Sequence, residues 1–342
     1  MLKSTLPRLG QSPSAGAAYS KVWSTTIKIP GLAQTTVPPT VPHIHDDLEA
    51  ASSLVHDMLT RHKGRTVIMT GAGVSTDSGI PDYRGDGGTY VRNPKHRPIL
   101  YHELLSSELF RRRYWARGFM GWPEMSKARP NSSHHIMARF LSDGYINHLI
   151  TQNVDNLHRA AQQQQQQQQH KDQVTELHGS LYQVECLDCK TVVPREAYQR
   201  RLFARNPTWA AYLPEKPKIN PDGDVELPEH MSYGEFDIAP CTTCASRRMK
   251  PRVVFFGENI RKEVTTAAET MVRASSAMLV VGSSLATYSA YRLVRMASEE
   301  LGIPVGILCK GQTRADALAS WKIEMGCTTV LERVQERLLL SS

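Results

Sequence analysis

The sequence predicts an α/β fold, in which a small metal-binding module is inserted into a domain built on a parallel β-sheet. Three short apolar runs, at 66–69, 148–151 and 277–281, are each followed directly by glycines or polar side chains. Ligand sites of open α/β sheets lie at the carboxyl ends of the strands, which is where such residues would meet. Two Cys-x-x-Cys pairs within residues 186–244 provide four thiolates, the donor set of a tetrahedral zinc site.

The composition is that of a globular protein and argues against two classes of partner. Hydrophobic residues make up 40% and charged residues 22% of the 342 positions, and no apolar run reaches the length of a membrane span. The net charge is +8, but the first 45 residues hold four basic residues and no acid, which leaves a small surplus for the rest. We therefore expect neither a nucleic-acid partner nor a membrane partner.

Residues 1–45 are expected to form a leader outside the folded domain. They are basic, free of acids and rich in Ser and Thr, and they lack the apolar core of a signal peptide. This is the composition of a mitochondrial transit peptide and predicts the mitochondrial matrix, with a disordered tail as the alternative. Residues 46–61 then show helical spacing and lead into the strand at 66–69.

The stretch 70–84 is the first candidate cofactor site. Three glycines within 71–79 follow the strand, and glycine lets the backbone turn tightly and bring its N–H groups close to a pyrophosphate. The usual dinucleotide fingerprint is incomplete, because Thr76 stands where its third glycine would be. Residues 82–84 (Asp-Tyr-Arg) add a carboxylate, a ring and a guanidinium. The loop that follows, up to Pro98, is expected to be a lid over the cofactor or a plain surface loop.

Two more polar clusters follow apolar runs. Residues 152–155 (Gln-Asn-Val-Asp) come directly after 148–151, and residues 282–284 (Gly-Ser-Ser) come directly after 277–281. Amide, carboxylate and hydroxyl groups at strand ends suit a ribose or a phosphate. His178 is either a packed histidine or a neutral imidazole that acts as a general base near pH 7.

A helical pattern at 103–120 places Tyr114 and Arg117 on one side, because they are three residues apart. An Arg beside a Tyr hydroxyl suits recognition of a carboxylate, whereas the basic residues around it are expected to be a solvated face. A second helix is predicted over 131–144, with its histidines at 134–135 in packing or capping roles.

Three later segments complete the pattern. Gln162–Gln169 is a low-complexity tract and is expected to be a surface insertion. Residues 251–258 form a β-rich run that ends near a glycine, and 303–308 is predicted to be a buried strand.

The four cysteines are predicted to hold one structural zinc ion. All four positions of a tetrahedral shell are filled by thiolates, which leaves no place for a water molecule. A redox Cys-x-x-Cys site is less favoured because there are two pairs. The metal residues are Cys186, Cys189, Cys241 and Cys244, and the module is expected to span about 181–250.

Taken together, these motifs resemble the sirtuins, NAD-dependent protein lysine deacylases, over residues 46–338, with most likeness to the mitochondrial class II branch. The resemblance implies a Rossmann-like parallel sheet domain with a small inserted zinc-binding module, and an active site between them. It also implies NAD as cofactor and acylated-lysine proteins as substrates. A monomer is expected.

The resemblance also assigns site residues. The catalytic residues it implies are His178, as general base, and Asn153. The NAD contacts it implies are Gly71, Ala72, Gly73, Ser75, Ile80, Pro81, Asp82, Tyr83, Arg84, Tyr90, Gln152, Asn153, Val154, Asp155, Gly282, Ser283, Ser284, Leu308, Cys309, Lys310 and Cys327. The substrate contacts it implies are Val254, Phe255, Phe256, Gly257, Glu258, Tyr114 and Arg117.

The implied reaction transfers the acyl group from lysine to ADP-ribose and releases nicotinamide. In it, the acyl oxygen attacks the ribose carbon C1′ as nicotinamide leaves, and His178 then takes a proton from a ribose hydroxyl. Two alternatives remain open. The same site could transfer ADP-ribose to a protein, or the chain could be a non-enzymatic zinc-ribbon interaction module.

Overall fold

The computed structural model describes residues 44–45, 47–165, 173–213, 217–227 and 231–341. The predicted leader lies outside these residues except for Ile44 and His45, which form a strand at the edge of the main sheet. The main sheet therefore includes residues that precede the predicted boundary at residue 46. No helix in the described part of the chain is both long and apolar enough to cross a bilayer.

Within the part of the chain that the structure describes, ten strands build two sheets. They are β1 (Ile44–His45), β2 (Thr66–Thr70), β3 (His148–Thr151), β4 (Val174–Glu176), β5 (Gly179–Cys186), β6 (Val192–Pro194), β7 (Met249–Val253), β8 (Ala277–Val281), β9 (Val305–Leu308) and β10 (Trp321–Ile323). The main sheet has seven parallel strands in the order β1-β10-β9-β8-β2-β3-β4. The small sheet is antiparallel, in the order β6-β5-β7.

Eleven α-helices surround the sheets in the described residues. They are α1 (Leu48–Arg61), α2 (Thr89–Arg92), α3 (Tyr101–Ser106), α4 (Glu108–Lys127), α5 (Ser132–Ser142), α6 (Leu157–Gln165), α7 (Arg195–Arg205), α8 (Pro207–Ala211), α9 (Lys262–Arg273), α10 (Tyr288–Arg295) and α11 (Cys327–Leu340). The end of α10 continues as a short π-helical stretch, Met296–Glu300.

The central strands are buried on both faces, as expected for a parallel sheet covered by helices. All five residues of β2 and of β8 are buried. Successive side chains alternate between the faces: Ile68 packs with α1, α5 and α11, while Val67 and Met69 pack with α9 and α10. The predicted strands at 66–69, 148–151 and 277–281 are therefore confirmed.

The small sheet belongs to a module with its own core. Helices α4, α7 and α8 pack on it, and large aromatic side chains, among them Trp115, Phe119, Tyr198 and Phe236, fill the space between them. Trp115 Nε1 donates to the carbonyl oxygen of Met249 in β7, which ties α4 to the sheet. The module is therefore held by an aromatic core as well as by its cysteines.

Several predicted elements differ from the structure. The helix predicted at 103–120 is two helices, because Ser107 leaves the helical conformation and caps α4 through its hydroxyl. The β-rich run at 251–258 is in strand conformation only up to Val253. No helix is predicted directly after β2, where the glycine turn leads into two 3₁₀ turns, Ala72–Val74 and Thr76–Ser78.

The glutamine tract is not wholly a surface insertion. Its first four residues continue α6, and Gln162 is buried. Gln165 donates to the carbonyl oxygen of His135 in α5, so the tract begins against a neighbouring helix. The rest of the tract lies outside the described residues.

Candidate active site

One cavity of about 1910 Å³ lies at the carboxyl ends of the central strands, between the main sheet and the small module. It is lined by nearly every catalytic, cofactor and substrate residue that the sequence predicted. The exception is Leu308, whose side chain is fully buried in β9 and whose carbonyl oxygen accepts a hydrogen bond from the backbone of Gly282. That contact keeps Leu308 inside the sheet.

Two glycine turns pack against each other at the floor of this cavity. Gly73 N donates to the carbonyl oxygen of Gly282 at 2.9 Å, and a Cβ on Gly73 would lie only 2.9 Å from the same oxygen. Gly282 has φ +62°, and a Cβ there would lie 2.7 Å from Val74 N. Both positions therefore require glycine, and the loops after β2 and β8 present backbone to the cavity side by side.

A buried hydrogen-bond network follows β3. Asn153 Nδ2 donates to Ser75 Oγ at 3.0 Å and to the carbonyl oxygen of Gly71 at 3.1 Å. Ser75 Oγ in turn donates to Asp155 Oδ2 at 2.7 Å. Burial raises the pKa of Asp155, while the hydrogen bonds from Leu157 and Ser75 oppose that shift. The network fixes the side chains of Asn153 and Asp155 at the inner end of the cavity.

His178 lies at the end of β4, where the chain crosses into the small sheet. Gly179 has φ +78°, and a Cβ there would lie 1.9 Å from the carbonyl oxygen of Arg252, so only glycine allows this crossing. Burial lowers the pKa of His178 to about 4, and the backbone oxygen of Gln152 opposes the shift. The imidazole is therefore neutral at pH 7 and can accept a proton.

The two nitrogens of His178 have different partners. Nδ1 lies 3.2 Å from the carbonyl oxygen of Gln152, and Nε2 lies 2.8 Å from the hydroxyl oxygen of Ser289. Sequence reasoning missed Ser289, which is the second residue of α10 and lines the same cavity. No local motif marks it, because the contact joins positions 111 residues apart.

A segment at residues 85–98, here called the lid, covers another side of the cavity. Asp82 Oδ1 accepts from Gly85 N at 2.7 Å, which starts the turn into this segment. The lid is tied to the small module, because Thr89 donates to Asn220 Oδ1 at 3.1 Å and Arg92 donates to the same oxygen at 3.4 Å. Several of its residues line the cavity, and its role as a lid stays a prediction.

Arg84 presents a cation to the cavity just before the lid. Its guanidinium lies over the ring of Tyr90, 5.2 Å from the ring centroid, and one nitrogen donates to Ser284 Oγ at 3.4 Å. Its Nε is buried and has no hydrogen-bond partner among the described residues. A half-buried cation with a spare donor suits a phosphate oxygen.

Tyr114 and Arg117 reach the cavity from α4, as the sequence predicted. Arg117, however, already has a carboxylate partner within the chain: its Nε lies 2.7 Å from Asp224 Oδ2, and both side chains are nearly buried. Asp222 lines the cavity beside this pair, and burial, followed by the charge of Asp224, raises its pKa to about 8. Sequence reasoning missed both aspartates.

The segment from Val254 to Glu258 leaves β7 and runs along the cavity. Val254 N donates to the carbonyl oxygen of His178 at 2.8 Å, so this segment starts beside the imidazole. The side chain of Glu258 accepts from Phe255 N at 3.0 Å and forms an ion pair with Lys250 at 3.0 Å. Glu258 therefore shapes the loop.

The four cysteines come together at the far end of the small module. Their sulfur atoms all lie within 4.8 Å of one another, with 3.6 Å between Cys186 and Cys244 and 3.5 Å between Cys189 and Cys241. Sulfur atoms about 2.3 Å from a tetrahedral zinc are about 3.8 Å apart, so the cluster fits one zinc ion. None of the four lines the cavity, and the site is positioned to bind a structural zinc.

Comparisons with known proteins agree with this site. The Sir2 family model matches residues 71–289. The "NAD-dependent protein deacylase SIR4" of Batrachochytrium dendrobatidis is 45% identical over 84% of this chain and 93% of its own length. The "NAD-dependent protein lipoamidase sirtuin-4, mitochondrial" of Bos taurus is 40% identical over 80% of this chain and 82% of its own.

Solved structures give the same result. A "Sir2-p53 peptide-NAD+" complex superimposes with a TM-score of 0.61 at 28% identity, over 84% of this chain and 98% of the other. The region matched by the family model, residues 71–289, holds the glycine turns, the polar residues after β3, the imidazole and the cysteine cluster described above. The chain therefore belongs to the Sir2 family, the sirtuins.

Proposed function

We propose that this protein is an NAD-dependent protein lysine deacylase, which transfers the acyl group of a modified lysine to ADP-ribose and releases nicotinamide. The observation that carries the proposal is a neutral imidazole, His178, fixed in the same cavity as the network of Asn153 and Asp155. Relatives with the printed names deacylase and lipoamidase support it.

The residues present fit NAD. The glycine turns at Gly73 and Gly282 form a cradle that a Cβ would fill, and Arg84 has a buried nitrogen without a partner in the described chain. We assign the phosphates to this end of the cavity, the nicotinamide carboxamide to Asp155, and its ribose to the end of β3 at Gln152 and Asn153. Cys309, Lys310 and Cys327 line the adenine end of the proposed site.

NAD, when bound, supplies the ribose carbon that the acyl oxygen attacks as nicotinamide leaves, and the ribose hydroxyl that accepts the acyl group. The chain supplies the rest. Asn153 is held by Ser75 and orients the reacting groups, and His178 accepts the hydroxyl proton at Nε2. Because burial keeps the imidazole neutral down to about pH 4, the base is ready throughout the neutral range.

The protein substrate is assigned to the segment at 254–258. A peptide strand can add to such a segment through main-chain hydrogen bonds, which give affinity with little sequence demand. The acyl-lysine would then lie beside His178, because Val254 is hydrogen-bonded to the backbone of that residue. Tyr114 and Arg117 are assigned to the distal end of the acyl chain.

The test is mass spectrometry of acyl-lysine peptides incubated with the purified chain and NAD. The panel holds acetyl, lipoyl, succinyl, glutaryl and hydroxymethylglutaryl peptides. His178→Ala should lower deacylation by about 10²–10⁴-fold, the usual contribution of a general base. His135→Ala is the matched control, because His135 does not line the cavity and should leave turnover unchanged.

Other outcomes would redirect the proposal. ADP-ribose appearing on protein without loss of an acyl group would indicate a mono-ADP-ribosyltransferase at the same site. A folded, zinc-loaded chain that changes neither peptide nor NAD would indicate a non-enzymatic interaction module.

We also propose that the leader ahead of β1 is a transit peptide, which ends before Ile44 because Ile44 and His45 form a strand of the main sheet. We propose in addition that the enzyme works in the mitochondrial matrix as a monomer. The basic, acid-free composition of this segment and the printed name of the bovine relative support the location. Fusing residues 1–45 to a fluorescent protein should direct it to mitochondria, and a diffuse signal would contradict this. Sedimentation of the purified chain tests the monomer.

A further inference from the structure

We propose that Ser289 relays a proton from the substrate hydroxyl to His178. The substrate hydroxyl is the ribose hydroxyl of NAD that accepts the acyl group, so this inference rests on the deacylase function proposed above. Ser289 is the second residue of α10 and its hydroxyl oxygen lies 2.8 Å from Nε2 of His178. Both side chains line the cavity. Ser289 is therefore the chain's own partner of the nitrogen that must take up the proton.

The partners of the imidazole define its tautomer. Nδ1 lies 3.2 Å from the carbonyl oxygen of Gln152, and a carbonyl oxygen only accepts, so Nδ1 carries the hydrogen. In a neutral imidazole Nε2 is then an acceptor, and the hydroxyl of Ser289 donates to it. The lone pair of the base is thus already engaged by a hydroxyl group.

A second contact holds the start of α10 against the end of β3. Thr287, the residue before the helix, donates to Gln152 Oε1 at 3.3 Å. The next residue but one is Ser289, and Ala290 beyond it is fully buried. These contacts hold the hydroxyl of Ser289 at Nε2, so a substrate can use this hydroxyl without displacing it.

A hydroxyl group can donate one hydrogen bond and accept another at the same time. As the substrate hydroxyl gives its proton to Ser289 Oγ, Ser289 gives its own proton to Nε2 of His178. The substrate oxygen uses the electron pair of its broken O–H bond to form the bond to the acyl carbon. The double bond between that carbon and the lysine nitrogen opens, its electron pair moves to the nitrogen, and His178 becomes the imidazolium. Ser289 ends with one proton, as it began, and nothing is oxidised or reduced.

The test separates two steps of the reaction. Exchange of labelled nicotinamide into NAD reports the step before His178 acts, and acyl transfer reports the whole reaction. Ser289→Ala should lower acyl transfer by about 10–100-fold, part of the contribution of a general base, while exchange changes by less than about threefold. Ser289→Thr keeps a hydroxyl and should restore most of the acyl transfer.

Two further variants complete the set. Adding Ser289→Ala to His178→Ala should cause no further loss, because both residues act on the same proton. Ser298→Ala is the matched control, since its hydroxyl donates to the carbonyl oxygen of Leu318 outside the cavity, and it should leave both steps unchanged. The relay would be overturned if Ser289→Ala lowered nicotinamide exchange and acyl transfer equally. It would also be overturned if Ser289→Ala left acyl transfer unchanged.

A measurement without turnover tests the contact itself. ¹⁵N NMR of labelled histidine in the unliganded chain should show Nε2 of His178 without a proton, and its shift should move in Ser289→Ala. A protonated Nε2, or a shift that does not move, would overturn the relay. If the wild type turned over no acyl-lysine peptide, the deacylase proposal would fail, and NMR would still decide whether Ser289 engages Nε2.

Discussion

Replacing both Asp222 and Asp224 by asparagine should make the enzyme prefer acyl-lysines that end in a carboxylate. Arg117 lines the cavity, but its charge is balanced by Asp224, with 2.7 Å between Nε and Oδ2. Their side chains are only 7% and 12% exposed, so water screens the pair weakly. An acidic acyl chain must therefore compete with a carboxylate that is already in place.

The size of the effect follows from the geometry. Taking the two charge centres as about 4 Å apart and an effective dielectric constant of about 20, the attraction is about 4 kcal/mol. The carboxylate of an acyl chain loses its own hydration when it binds. We therefore expect its net gain to be about half of the attraction to Arg117, or ~2 kcal/mol. That corresponds to a ~30-fold change in the ratio of kcat/KM for acidic and neutral chains.

Both aspartates must be changed because Asp222 can replace Asp224. The pKa of Asp222 is raised to about 8, first by burial and then by the charge of Asp224, so at pH 7 it is mostly protonated. Neutralising Asp224 lowers that pKa and allows Asp222 to ionise near Arg117. The single Asp224→Asn change should therefore give a smaller shift, and Asp222→Asn alone should give almost none.

The assay compares kcat/KM for glutaryl-lysine and pentanoyl-lysine peptides, whose chains match in length but differ in charge. The wild type, both single variants and the double variant are measured at pH 7 with saturating NAD. A folded double variant whose ratio stays at the wild-type value would refute the reasoning, because Arg117 would then not meet the acyl chain. Asp222→Asn alone reaching the full shift would show that Asp222 is the counter-ion instead.

Three other predictions concern stability. The folded chain keeps the Asp222 proton up to about pH 8, whereas an unfolded chain releases it near pH 4. The free energy of unfolding should therefore fall as pH rises between these values. In urea titrations at several pH values, Asp222→Asn should make that fall smaller. Cys186→Ser should reduce bound zinc from one ion per chain towards none by native mass spectrometry, and lower the free energy of unfolding by more than about 2 kcal/mol; unchanged zinc content would contradict the site. Gly179→Ala should lower the free energy of unfolding by about 2–4 kcal/mol, because its Cβ would lie 1.9 Å from the Arg252 carbonyl oxygen. A thermal melt that matches the wild type would contradict the close approach of Gly179 to β7.

Features that depend on neighbouring residues could be predicted from the sequence. The strands at 66–69, 148–151 and 277–281 could be predicted because their apolar, β-branched runs end at glycine or polar residues. Strands that are buried on both faces of a sheet are continuously apolar, which makes such runs easy to recognise. The cysteine pairs could be predicted because two Cys-x-x-Cys pairs supply the four thiolates of a zinc site. His178 could be predicted because a neutral imidazole is suited to act as a general base near pH 7. Ser107 was missed, since one residue that leaves the helical conformation does not interrupt the apolar periodicity.

Features that depend on distant residues could not be predicted in the same way. Spacing places Tyr114 and Arg117 on one side of a helix, but it contains no information about Asp224, which lies 107 positions beyond Arg117. The fold brings the two together by passing the chain between α4 and the lid, where Asn220 accepts from Thr89 and donates to Asp224 at 2.6 Å. The same short segment therefore neutralises the predicted carboxylate-binding arginine and anchors the segment at 85–98 beside the cavity. The charges on one helix therefore give only an upper limit on the charge available to a ligand, because residues from distant segments neutralise part of it in the folded protein.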